Sequence, residues 1–239
     1  SRGLGDVYKR QDVDNAMNIG NGTLLSNSSV TIGHLEHFES PYGKAQEGWN
    51  LIGNPYLADI NITKHQNVIF DEHKVTKFVY QYNKELDNYI TFDMTNYDEE
   101  QKIIPFQSYF VQTLAPEAEL TVTPVAKEVT LNRRTFDYYT ANEYTSVRLK
   151  LYAEDKEQDR TDIIWEEGAS ADFVVNEDAP KFWSLSATAN QLFSAAGESA
   201  ASVNTLPMDT EEVKLGLRIG TPGKLSLRLS RITGFTGDD

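Results

Sequence analysis

Val213-Lys214-Leu215-Gly216-Leu217-Arg218-Ile219 and Leu225-Ser226-Leu227-Arg228-Leu229-Ser230 set the grammar of the chain. Aliphatic residues take every second place, and small or basic residues fill the gaps. Successive side chains of a strand point to opposite faces, so each run places its aliphatics on one face and its charges on the other. That pattern belongs to an antiparallel sheet with one packed face and one wet face. Gly220-Thr221-Pro222-Gly223 between the two runs reads as a hairpin turn. Val147-Arg148-Leu149-Lys150-Leu151-Tyr152 repeats the alternation upstream.

The first half uses the same period with more aromatics. Phe78-Val79-Tyr80-Gln81-Tyr82 and Tyr89-Ile90-Thr91-Phe92 are β-branched and aromatic runs, joined by the polar connection Asn83–Asn88. Ser108–Thr113 and Glu119–Thr123 add two further strands. Ala169–Ser184 has room for one helical turn, but nowhere do apolar residues recur at helical spacing over three turns. The fold class expected is all-β, as two antiparallel β-sandwich (jelly-roll or Ig-like) domains. Their expected ranges are 12–126, rich in aromatics, and 127–239, with the change near Pro124-Val125-Ala126-Lys127.

Composition narrows the function. The 239 residues include 22 basic and 36 acidic ones, a net charge of −14, and no Cys. Such a charge argues against nucleic acid, whose phosphates require Lys and Arg, and against anionic membrane surfaces. Without Cys there is no disulfide, thiolate metal site or Cys nucleophile. No apolar stretch approaches the roughly 18–20 residues of a membrane-spanning helix.

Neither a zinc-protease, a nucleophile-elbow nor a phosphate-loop motif is present. His34 and His37 fall on opposite faces of a strand and cannot share a metal there. Asp98-Glu99-Glu100 lacks the spaced Asp and Asn ligands of a calcium loop. The other adjacent acids, such as Glu154-Asp155 and Glu211-Glu212, read as solvated loops. The chain is therefore not expected to be an enzyme, and no metal or cofactor is expected. The binding candidates are Tyr80 and Tyr82 on one strand face, Tyr89 on the paired strand, and Tyr97 beyond it. Exposed, they form a strip on which sugar rings stack; packed, they are cross-strand pairs that stabilise the sheet. Trp49, Leu51 and Gly53 share one face, and Trp49 is expected to point into the core. Gly48 and Gly53 are expected to allow backbone angles or close approaches that a side chain blocks.

Two stretches carry a resemblance. Gly48-Trp49-Asn50-Leu51-Ile52-Gly53-Asn54-Pro55-Tyr56, with Ile104-Pro105-Phe106-Gln107-Ser108-Tyr109-Phe110-Val111, resembles a paired strand-turn and strand in large secreted proteins of Bacteroidota. Asp159–Asp162, Glu167-Gly168-Ala169, Asp178-Ala179-Pro180-Lys181-Phe182, Asn190–Phe193, Val203–Pro207 and Val213–Gly216 resemble the domain that follows in the same proteins. Pro180 stands where a Tyr is common. The resemblance implies β-sandwich modules of an exported or cell-surface protein carried by type IX secretion. It also implies a second sandwich incomplete at its C-terminal side. Other domains of the same longer chain, and glycans or host surface components, are the partners it implies. The role expected is structural or adhesive, with a carbohydrate-binding module of a secreted glycan-degrading enzyme as the alternative. Asp6–Gln11 resembles a translated transposon end used to tag sequencing libraries, so residues 1–11 are expected to be non-native.

Overall fold

The computed structural model describes residues 28–63, 67–95, 100–125 and 145–235. The expected boundary near residue 126 and the tag at 1–11 lie outside them. The fold is all-β and sandwich-like. In the N-terminal half, β1 (Val30–Leu35), β4 (Val68–Phe70) and β9 (Ala118–Val122) form a three-stranded sheet in the order β1-β9-β4. The strands β2 (Trp49–Gly53), β5 (Val75–Asn83), β6 (Asn88–Asp93) and β8 (Ser108–Thr113) form a four-stranded sheet in the order β2-β8-β5-β6. A two-residue pair, β3 (Ile60–Asn61) with β7 (Lys102–Ile103), closes one end.

The C-terminal half is one seven-stranded sheet. It contains β10 (Thr145–Ala153), β11 (Lys156–Glu166), β12 (Ala179–Pro180), β13 (Gln191–Ala196), β14 (Ser199–Pro207), β15 (Leu215–Arg218) and β16 (Leu225–Thr233). The strand order is β15-β13-β14-β11-β10-β16, with β12 on β14. Pairing is antiparallel except between β11 and β14, which run parallel. That pairing needs a long crossover, and residues 167–198 supply it. The region 169–184 holds turns and β12, with no helical turn.

The expected hairpin at Gly220–Gly223 is overturned. β15 pairs with β13 and β16 pairs with β10, so the two runs lie at opposite edges of the sheet. The connection is held to the loop before β13. The Asn190 side-chain oxygen accepts the N–H groups of Gly220 and Thr221, each at 3.0 Å, and Thr221 Oγ1 donates to the Thr188 carbonyl at 2.8 Å. A Cβ on Gly220 would lie 2.5 Å from the Thr188 carbonyl carbon, so only glycine fits there.

Both faces of β5 are covered. Val75 and Val79 join Ile52, Tyr109, Val111, Leu120 and Val122 in the core of the N-terminal half. Phe78 and Tyr80, on the opposite face, pack with Ala179 and Val203 of the C-terminal half. Trp49 belongs to this second cluster. The face of β2 that enters the first core therefore carries Ile52, and Trp49 points away from that core.

The two glycines of the first motif differ. Gly48 has φ +65°, and a Cβ there would strike the Thr113 carbonyl oxygen, with Thr113 Oγ1 at 2.6 Å and His37 Nδ1 at 2.9 Å. At Gly53 the nearest atom is Ser108 Oγ at 3.8 Å, which is ordinary contact. Gly48→Ala is expected to cost about 2–4 kcal/mol, from left-handed strain plus overpacking. Gly53→Ala is expected to stay within about 0.5 kcal/mol of the parent. Urea denaturation of both variants checks the contrast, and equal losses would contradict it.

Candidate functional site

The tyrosine strip is where the halves meet. Tyr80 sits opposite Thr91 of β6 and Phe110 of β8, and Tyr82 opposite Tyr89. With Trp49 of β2, these residues line the outer face of the four-stranded sheet. Phe182, which follows β12, enters the middle of that face. Its ring centroid lies 4.3 Å from Trp49, 4.5 Å from Tyr80, 5.3 Å from Tyr89 and 5.5 Å from Phe110. Among the described residues, hydrogen bonds also cross between the halves. Asn176 accepts the Lys77 N–H, Gln191 donates to Asn88, and Asn88 donates to the Gln158 carbonyl. Arg160 donates to the Thr91 carbonyl, and Ser184 to the Asp87 carbonyl.

This arrangement settles how far each binding candidate is accessible. Tyr80 is fully buried and cannot stack on a ligand. Trp49 Nε1 donates to the Ala45 carbonyl at 3.1 Å, so its polar edge is already bonded. Tyr89 is half-buried, with its ring edge-on to Phe110, Phe182 and Tyr82. Tyr82 is 40% exposed and donates its hydroxyl proton to the Asp87 carboxylate. Bonds from Ser186 and from Tyr82 hold the Asp87 carboxyl below its ordinary value. Tyr97 lies outside the described residues. Of the four candidates, Tyr82 alone among the described residues presents a well-exposed ring.

The Tyr80 hydroxyl has no hydrogen-bond partner among the described residues, and burial pushes its pKa well up. A buried orphan hydroxyl costs about 1–3 kcal/mol. Tyr80→Phe is therefore expected to leave stability unchanged or raise it by about 1 kcal/mol. A guanidinium melt checks this, and a loss above about 1 kcal/mol would mean that the hydroxyl is engaged.

Asp178 is the strongly shifted carboxylate. Its two oxygens accept the N–H groups of Val174 and Thr205, each at 2.7 Å. Burial outweighs those bonds and pushes its pKa up to about 6, and the Glu177 charge adds to the rise. The folded state thus holds this proton more tightly than the unfolded chain. Its stability contribution is present below the ordinary carboxylate value and is lost as pH rises through about 6. An NMR titration of the Asp178 carboxyl carbon is expected to show a midpoint near 6. A midpoint in the ordinary carboxylate range would rule out burial as the cause.

A cleft of about 470 Å³ also lies between the halves, lined by His37, Lys44, Glu47, Gln112 and Thr113 on one side and Phe173–Val175 on the other. His37 Nδ1 donates to the Thr113 carbonyl at 3.0 Å, and Gln112 donates to the carbonyls of Lys44 and Glu47. These polar groups tie down the β2–β8 end of the sheet. His34 pairs instead with Glu117 at 2.9 Å on the surface. Among the described residues, no three His, Cys, Asp or Glu side chains gather where they could hold a metal ion.

Sequence reasoning missed Phe182 and its neighbour Lys181. They sit in a short strand-and-loop segment with no periodicity to mark a face. Both residues stood in the resemblance stretch Asp178–Phe182, which assigned them no role. No family model, curated protein or solved structure matches the chain.

Proposed function

We propose that the chain is a non-catalytic structural or adhesive β-sandwich unit of an exported, cell-surface-associated bacterial multidomain protein. It holds other domains of the same longer chain, or surface ligands, at a fixed separation. The insertion of Phe182 among four aromatic rings of the other half carries this reading. The aromatic surface best suited to stacking is given over to joining the two halves, which is what a rigid spacer requires. A turnover panel of glycosides and peptides tests the role. Hydrolysis that is lost on changing a single acid would replace this reading with an enzymatic one.

A second reading rests on Tyr82. An exposed ring beside an aligned carboxylate suits a sugar, which offers an apolar face and hydroxyl donors. It makes the chain a carbohydrate-binding module of a secreted glycan-degrading enzyme. Binding on a glycan array that disappears in Tyr82→Ala favours this reading, and an array with no bound glycan favours the spacer.

A further inference from the structure

The cleft between the halves has a charged rim that is fixed in place and an apolar far wall. The rim is the 3-10 turn Lys44–Gln46, with Glu47 following it. Gln112 is buried and donates to the carbonyls of both Lys44 and Glu47, each at 3.0 Å. Trp49 Nε1 donates to the Ala45 carbonyl between them. Gly48, with its positive φ, then turns the chain into β2. The rim is thus ordered before any ligand arrives, which lowers the cost of binding. Across from it, Phe173, Val174 and Val175 line the cleft and are only half-buried. A volume of about 470 Å³ is that of a small-molecule site, and such sites favour the boundary between two units.

The rim charges say what kind of ligand fits. Side chains three apart on a 3-10 turn eclipse one another, so Lys44 and Glu47 stand on one side of it, and both line the cleft. They form no ion pair, either with each other or with any other described residue. A lone anion drawn to Lys44 meets Glu47, and a lone cation drawn to Glu47 meets Lys44. A neutral polar molecule leaves both charges unmatched. A zwitterion matches both, and an apolar side chain on it covers Phe173 and Val175.

We propose that the cleft binds a dipeptide with apolar side chains, its carboxylate against Lys44 and its ammonium against Glu47. One 3-10 turn rises about 6 Å, and an extended dipeptide spans about 7 Å, so its two ends reach the two charges. Charge-assisted hydrogen bonds at both ends set its direction, and the apolar wall sets its side-chain preference. The two walls belong to different halves, so the bound peptide braces the junction at a second place besides Phe182. The site stands whether or not the chain serves as a spacer.

The test titrates the whole chain with the dipeptide Leu-Phe, its N-acetyl form, its C-terminal amide and Gly-Gly, and follows backbone amide shifts by NMR. Leu-Phe is expected to shift amides of 44–48 and 173–175. Each blocked form is expected to bind about tenfold more weakly, since each loses one charge-assisted bond. Gly-Gly, with nothing to lay on the apolar wall, is expected not to bind. Lys44→Gln is expected to abolish the penalty of amidation and keep that of acetylation, and Glu47→Gln to do the reverse. Both positions are at the surface or half-buried, and circular dichroism is expected to stay unchanged. Absence of Leu-Phe binding, shifts confined to other segments, or Gly-Gly binding as tightly as Leu-Phe would overturn the proposal. So would equal affinity for the free and blocked dipeptides, or penalties that neither substitution alters.

Discussion

Lys181→Ala is expected to cost about 3–5 kcal/mol, a large part of the stability of an ordinary domain. The Lys181 ammonium lies 2.5 Å from the Asp159 carboxylate, and the two side chains are 1% and 3% exposed. Asp159 also accepts the N–H groups of Leu192 at 2.7 Å and Arg160 at 2.9 Å, so it ties β11 to β13. Burial lowers the Lys181 pKa, and the neighbouring Asp159 charge opposes that shift. Removing the lysine leaves a carboxylate sealed from water with no counter-charge, which is the costly case. Asp159→Leu combined with Lys181→Met is expected to lose at least about 1 kcal/mol less than the sum of the single losses. It will not recover everything, because the Leu192 N–H then has no acceptor. A urea-denaturation cycle of the four proteins checks this. Additive losses, or a Lys181→Ala cost under about 1 kcal/mol, would show that the pair is not coupled in a dry interior.

Phe182→Ala is expected to uncouple the halves. It deletes one ring from contact with Trp49, Tyr80, Tyr89 and Phe110 at once, and a large-to-small change of this kind costs about 3–5 kcal/mol. For a chain of this length, that corresponds to a fall in Tm of roughly 6–20 °C. Calorimetry should show one transition in the parent and two in the variant, since each half has its own sheets and only the junction is lost. Tyr80 and Trp49 should become reachable by a fluorescence quencher. A variant that melts in a single transition at the parent temperature would show that the ring does not hold the halves together.

The strand grammar was legible because the period of two is a local property. Val147–Leu151 and Leu225–Leu229 alternate in the chain and alternate in the sheet. The 83–88 connection was equally legible, because a short polar link between two aromatic runs admits little besides β5 pairing with β6. Gly48 was readable as a backbone requirement, but Gly53 beside it was not distinguishable, since φ and the approach of Thr113 are set by the partner strand.

Beyond the β5–β6 hairpin, pairing partners were not legible. The 215–218 and 225–233 runs look like a hairpin, yet Asn190 captures the connection and sends the strands to opposite edges. The strip at Tyr80, Tyr82 and Tyr89 shows the same limit. Alternation puts Tyr80 and Tyr82 on one face, but one is fully buried and the other 40% exposed. The difference is made by Phe182, about a hundred residues further along.

From its own order of residues, the chain determines an all-β fold, the two-sided character of each strand and an acidic, Cys-free surface. Tertiary structure alone decides which face of β2 and β5 meets which core, and that Lys181 and Asp159 become a buried pair. The reason is physical. Side-chain alternation follows from the backbone of one strand, whereas burial depends on what a distant segment places against it.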